Sequence, residues 1–159
     1  LNETNAHSRA GAHIFLSENN PFQKFNGAVL SIAQIIKFVM SSVAESELAA
    51  LFITAREMIP HRQTLIDMGW PQPKSPIQTD NSTAAGVTNN TIVPRRSKMM
   101  DMRFWWLRCR ESQEQFRYYW DAGSKNWADY HTKHHPDIYH ETHRTTHAGI
   151  WDPPDTIPR

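Results

Sequence analysis

Residues 75–84, SPIQTDNSTA, decide the fold. The short apolar run 77–80 reads as a strand, and Asn81 or Ser82 then offers a side-chain oxygen to cap a short helix over 82–88. Strand followed by helix sets the Asp80 carboxylate at the C-terminal edge of a strand, where open α/β sheets bind ligands. Two further acids lie in matching contexts. Glu47 falls in the first turns of a long helix, and Asp129 sits in NWADYHTK, residues 126–133. Three carboxylates far apart in sequence, each at the edge of an element, point to a magnesium site for phosphodiester hydrolysis, because magnesium is a hard ion that selects oxygen ligands. The plainer readings are that Glu47 answers the helix dipole, that Asp80 caps the next helix, and that Asp129 is a surface acid.

Upstream of this stretch, residues 11–17 and 27–33 read as strands, and the apolar run 35–40 is a candidate third. Short connections between them suggest an antiparallel meander. Ser42 and Glu45 form a Ser-x-x-Glu capping box. Leu48, Leu51, Phe52, Ala55, Met58 and Ile59 then recur at helical spacing, with Glu47 beside the apolar stripe. Pro60 lacks the amide a helix interior needs, so a stop or kink is expected there, with a further turn or two before Gly69. Three prolines make 69–76 a connection. Downstream, 91–96 is a loop and 98–113 a second long helix with Met100, Phe104, Leu107 and Trp106 inward. Residues 115–120 alternate as a strand, Gly123 turns, and a short helix spans 127–133. The order is that of a mixed α/β domain, and no internal repeat is present.

At 159 residues the chain is long enough for one domain with a proper core. No run approaches a membrane span and no signal-peptide pattern opens the chain, so a soluble, intracellular protein is expected. The single Cys109 excludes an internal disulfide framework and reads as a packing residue. Net charge is only +1, but residues 94–110 hold six basic side chains (Arg95, Arg96, Lys98, Arg103, Arg108, Arg110) against one acid, Asp101. That cluster is either a phosphate-backbone contact surface or a solvated helix face. Asp101 reads as a salt-bridge partner for Arg103 or Lys98. Six of the nine histidines fall between His131 and His147. His140 and His143 are spaced i, i+3, unlike the zinc-peptidase motif, and a solvated tail with incidental metal affinity is the simpler account. Among Trp105, Trp106, Tyr118, Tyr119, Trp120 and Trp127, most should be core, with one available for base stacking.

Five segments, in order and at suitable spacing, resemble the ribonuclease H domain at the end of a copia-type retrotransposon polyprotein. They are SRAGAHIFL (8–16), SSVAESELAAL (41–51), QTDNSTAA (78–85), KMMDMR (98–103) and ADYHTK (128–133), and the resemblance runs over about residues 8–135. It implies an α/β fold with a five-stranded mixed sheet flanked by helices, and cleavage of the RNA strand of RNA–DNA hybrids during reverse transcription. Two magnesium ions, or manganese as substitute, would be held by four acids, of which Glu47, Asp80 and Asp129 match three. Arg95, Arg96, Lys98, Arg103 and Asn81 would contact the hybrid. The implied partner is the reverse transcriptase domain of the same polyprotein, with no membrane, inside a cytoplasmic virus-like particle. The sequence departs from the pattern in three ways. The first family acid and its opening strand should precede the point matching Ser8, yet Glu3 is the sole acid in the first nine residues, so the opening strand is expected to be lacking. Met99 and Trp105 stand where histidines are expected. The 121–126 loop has no histidine to shuttle a proton. Two alternatives follow, a catalytically inactive structural domain of the polyprotein and a histidine-rich metal- or nucleic-acid-binding module. Residues 136–159 are expected to be a poorly ordered tail, and 151–159 look foreign to the pattern.

Overall fold

The computed structural model describes residues 8–18, 27–37, 40, 42–89, 91 and 101–149. The expectations for the 19–26 turn, most of the 91–96 loop, Met100, the Asp101 side chain and 151–159 lie outside the described residues. β1 (Arg9–Ile14) and β2 (Leu30–Ile35) form an antiparallel pair in which Ala12 faces Ile32. Period-2 alternation turns Ala10, Ala12 and Ile14 inward, as a half-buried strand requires. The third strand expected over 35–40 is not formed by the described residues there, since β2 ends at Ile35 and Ile36 turns into the core.

α1 (Val43–Asp67) starts as its capping box requires, with the Glu45 amide donating to Ser42 Oγ at 3.2 Å. Its buried residues Leu48, Ala49, Leu51, Ile53 and Ala55 carry the first half into the core. Of the stop or kink expected at Pro60, the stop does not occur, and the further turns expected before Gly69 are part of the same helix, which runs seven residues beyond the proline. A proline inside a helix costs about 3 kcal/mol. Here the ring lies on the exposed face, and the following turn makes compensating contacts. His61 Nδ1 lies 2.7 Å from the Glu57 carbonyl, and the Arg62 guanidinium donates to the carbonyls of Pro73 (2.6 Å) and Gln72 (3.2 Å). Those bonds tie the end of α1 to the proline-rich connection. Gly69, at φ +88°, then reverses the chain in a conformation that favours glycine.

β3 (Ser75–Thr79) is parallel to β4 (Phe116–Trp120), with Ile77 opposite Tyr118. Between them come α2 (Ser82–Thr88), capped by Asn81 Oδ1 on the Ala84 amide at 3.0 Å, and α3 (Asp101–Ser112), which buries Phe104 and Leu107. Trp106 is half-buried, edge-on to Phe52 at 5.1 Å. Two 3-10 turns follow, Gly123–Lys125 and Trp127–His131. Within the segment expected from 136 onward as a tail, residues Asp137–Ala148 form α4. Tyr139, His143 and His147 recur every fourth residue, so one face of α4 meets Trp127, Tyr130 and His13.

The mixed α/β class is as expected, but the described strands form two two-stranded ribbons instead of one five-stranded sheet. Between β1 and β3 lies a cavity of about 570 Å³, floored by α1 through Ala50, Leu51, Thr54 and Met58. Direction across the gap follows from three interactions. Ser8 and Ser46 hydroxyls meet at 3.1 Å near the start of α1, Glu47 on the same turn feels the charge of Asp80 just past β3, and Arg62 toward the far end of α1 donates to Ser75 at the start of β3. The start of β1 therefore lies at the same end as the finish of β3, and the two run antiparallel. No helix among the described residues is long and apolar enough to cross a membrane.

Candidate functional site

At that shared end, the first turns of α1, the exit of β3 and the second 3-10 turn come together. Each carries one of the three acids. Glu47 is half-buried, and its carboxyl is raised to about 7, first by burial and then by the negative charges of Asp80 and Asp129. Lys133 pulls the other way. Burial disfavours any isolated charge, and two like charges nearby compound it. Asp80 follows β3 directly. Its backbone carbonyl accepts from Trp120 Nε1 at 3.0 Å, and Gly123 lies in ordinary contact distance of its carboxylate.

Asp129 is held by its backbone. Its carbonyl accepts from the Thr132 and Lys133 amides at 3.0 Å each, and His135 Nε2 lies 3.0 Å away. Its carboxylate pairs with Lys133 Nζ. The turn bearing Asp129 seats directly on β1 at Gly11, where a Cβ would come within 2.6 Å of the Ala128 carbonyl and 2.9 Å of Thr132 Cγ2. Only a residue without a side chain permits that approach.

The acids face one another electrostatically, but among the described residues no three His, Cys, Asp or Glu side chains already surround one point as a metal centre requires. Lys133 supplies the positive charge instead. Sequence reasoning quoted Lys133 within its motif and gave it no part. The signal was its i, i+4 spacing from Asp129.

Of the residues expected to contact nucleic acid, Arg95, Arg96 and Lys98 lie outside the described residues. Asn81 uses its side-chain oxygen to cap α2. Arg103 stacks over the Phe52 ring at 5.8 Å, and Arg108 over Trp105 at 5.0 Å. Trp105 and Trp120 are exposed.

Two of the C-terminal histidines join His13 in a second cluster. His13 on β1, His131 on the 3-10 turn and His147 on α4 meet with His13 at the centre, 4.6 Å from each of the other two rings. His13 Nδ1 lies 2.9 Å from Ser31 Oγ, while His13 Nε2, His131 Nε2 and both His147 nitrogens are buried without a hydrogen-bond partner. Burial lowers all three imidazoles. His13 falls to about 4, with His131 and His147 adding to the effect.

The chain is similar to part of a retroelement polyprotein. Over 107 residues, 67% of its length, it is 28% identical to a retrovirus-related Pol polyprotein from transposon TNT 1-94 of Nicotiana tabacum, and it spans 8% of that protein. No protein-family model matches the sequence, and no solved structure matches it significantly.

Proposed function

We propose that this is a ribonuclease H-like endonuclease domain that cleaves the RNA strand of RNA–DNA hybrids during reverse transcription. The observation that carries the reading is the approach of Glu47, Asp80 and Asp129 from three separate elements, with Glu47 pushed to about 7 first by burial and then by the charges of the other two. Such a cluster is short of positive charge. Its oxygen-only donor set suits magnesium, or manganese in its place. When bound, a pair of such ions supplies an activated water and stabilises the leaving oxygen. The chain's own residues do the rest. The three acids hold and orient, the Ser42 cap and Gly11 contact fix their elements, and Arg95, Arg96, Lys98, Arg103 and Asn81 grip the hybrid backbone.

The cavity between β1 and β3 bears on the same reading. Among the described residues each strand is paired on one side only, and α1 floors the gap between them. The opening strand that the resemblance implies, with its fourth acid, would lie in this gap. The reverse transcriptase domain of the same polyprotein is the proposed partner, and a cytoplasmic virus-like particle the proposed setting.

A second reading, a catalytically inactive structural domain, is favoured by the Lys133 ammonium lying against Asp129. One experiment separates them. A labelled RNA–DNA hybrid is incubated with the chain in magnesium and in manganese, with Asp80→Asn as control. Cutting confined to the RNA strand and lost in the control is the expected result. If the chain is silent, the assay is repeated with an Asp-bearing strand fused ahead of Leu1. Continued silence there means the inactive domain.

A further inference from the structure

We propose that α4 is an acid-releasable latch, held to β1 and to the Trp127–His131 turn by a seam of rings centred on His13 and His147, and let go when those two imidazoles take up protons. The latch is independent of the nuclease reading.

α4 has no buried residue of its own, so no apolar core pins it. Ring contacts join it to the rest of the molecule. His147 lies 4.6 Å from His13 and 4.1 Å from Tyr130, His143 lies edge-on to Trp127 at 4.8 Å, and Tyr139 stacks on His135 at 3.9 Å. The facing ring of His13 is fixed by strand pairing, with Nδ1 2.9 Å from Ser31 Oγ on β2.

Such a seam suits neutral rings. Nε2 of His13 and both nitrogens of His147 are buried with no hydrogen-bond partner among the described residues. A proton added to any of them would have neither an acceptor nor access to solvent, which is costly for a charge. The surrounding groups supply no counter-charge. Around His13 stand Phe15 on its own strand, the Ser31 hydroxyl from β2, and Tyr130 and His131 from the turn. Burial lowers His147, and the charges that add to it come from His131, His143, His135 and His140, all of one sign. Asp137, Glu141 and Arg144 on α4 are exposed.

A ring uncovered by release of the helix returns to its ordinary value of about 6.5, whereas the docked His13 ring lies at about 4. Docking is therefore at full strength above about 6.5 and weakens about tenfold for each pH unit below that, down to about 4. Release also reaches the neighbouring acid. Tyr139 leaves His135, whose Nε2 lies 3.0 Å from the Asp129 carbonyl.

The test follows amide exchange of the full chain from about pH 5 to about pH 7 in chelator, with rates corrected for the intrinsic effect of pH. Protection of α4 should fall about tenfold per pH unit below about 6.5, while α1 from Leu48 to Ala55 stays protected. A chain carrying His13→Phe and His147→Phe keeps rings in the seam but cannot take up the protons, and its α4 protection should stay level. Protection of α4 that is flat in the parent, or that falls only together with α1, overturns the latch. So does a doubly substituted chain that keeps the parent's slope. If that chain fails to fold, the ring protons of the parent's His13 and His147 decide by nuclear magnetic resonance. Midpoints that coincide with the loss of α4 protection support the latch, and midpoints away from it overturn it.

Discussion

Asp129 and His131 sit two residues apart on one 3-10 turn, yet they belong to clusters with opposite electrostatic logic. On one side of the turn, Asp129 pairs with Lys133, and burial, with the charges of Asp80 and Asp129, drives Glu47 up to about 7. On the other side, three imidazoles pack ring against ring, and the same burial drives His13 down to about 4. Desolvation acts identically in both, against whichever form is charged. The outcomes diverge because a carboxyl is charged when it loses a proton and an imidazole when it gains one. The acid side is therefore strained when every carboxyl is ionised, and the histidine side is stable when every ring is neutral.

The largest expected effect falls on the acid side alone. Asp80→Asn should lower hybrid cleavage by about a hundredfold or more, as the loss of one ligand oxygen to a catalytic ion would. It should leave the metal-free fold as stable or more so, since it removes one of two charges repelling Glu47. A cleavage assay paired with thermal melting in chelator reads both. Unchanged cleavage would remove Asp80 from the site.

Gly11 underlies both clusters, so its replacement should damage both. A methyl there meets the Ala128 carbonyl at 2.6 Å, and forcing a side chain into such a contact costs roughly 1–3 kcal/mol. Gly11→Ala should melt lower at every pH, with exchange protection lost on both sides of the turn. Damage confined to one side would mean that the clusters are not seated on a common seam.

Acidity should then separate the two. The folded Glu47 carboxyl lies above its unfolded value of 4.5, so its contribution is fully present below about 4.5 and is lost as pH rises through about 7. The folded His13 ring lies below its unfolded value of 6.5, so its contribution is present above 6.5 and is lost as pH falls through about 4. Discounted for partial exposure, each is on the order of 1 kcal/mol. Stability measured by denaturant across pH 4–8 in chelator should change with Glu47→Gln on the alkaline side. With His13→Asn it should change on the acid side. Matching profiles for the two variants would defeat the contrast.

The smallest effect expected is that of manganese on the histidine side. Saturating manganese should raise the melting temperature of the parent chain through the acids, and His147→Ala should keep that increment within error. Losing it would mean that the rings, not the carboxylates, hold the ion.

Much of this was legible along the chain because it depends on near neighbours. The strand into Asp80, the Ser42 cap and the Phe104–Leu107 face are written in spacings of two to four residues, and the structure follows them. The i, i+4 repeat of Tyr139, His143 and His147 was equally local, but a composition rich in His, Thr and Pro obscured it.

What the sequence by itself determined was the mixed α/β order and three acids at element edges. Tertiary structure decided the rest. It carried α1 through Pro60 by giving Arg62 carbonyls eleven and ten residues away, and it seated His13 against His131 and His147, more than a hundred residues distant. Glu47 likewise acquires its neighbours Asp80 and Asp129 only once three elements share an end. The reason is physical. Backbone periodicity depends on adjacent side chains, whereas burial and charge depend on whatever the folded chain brings near.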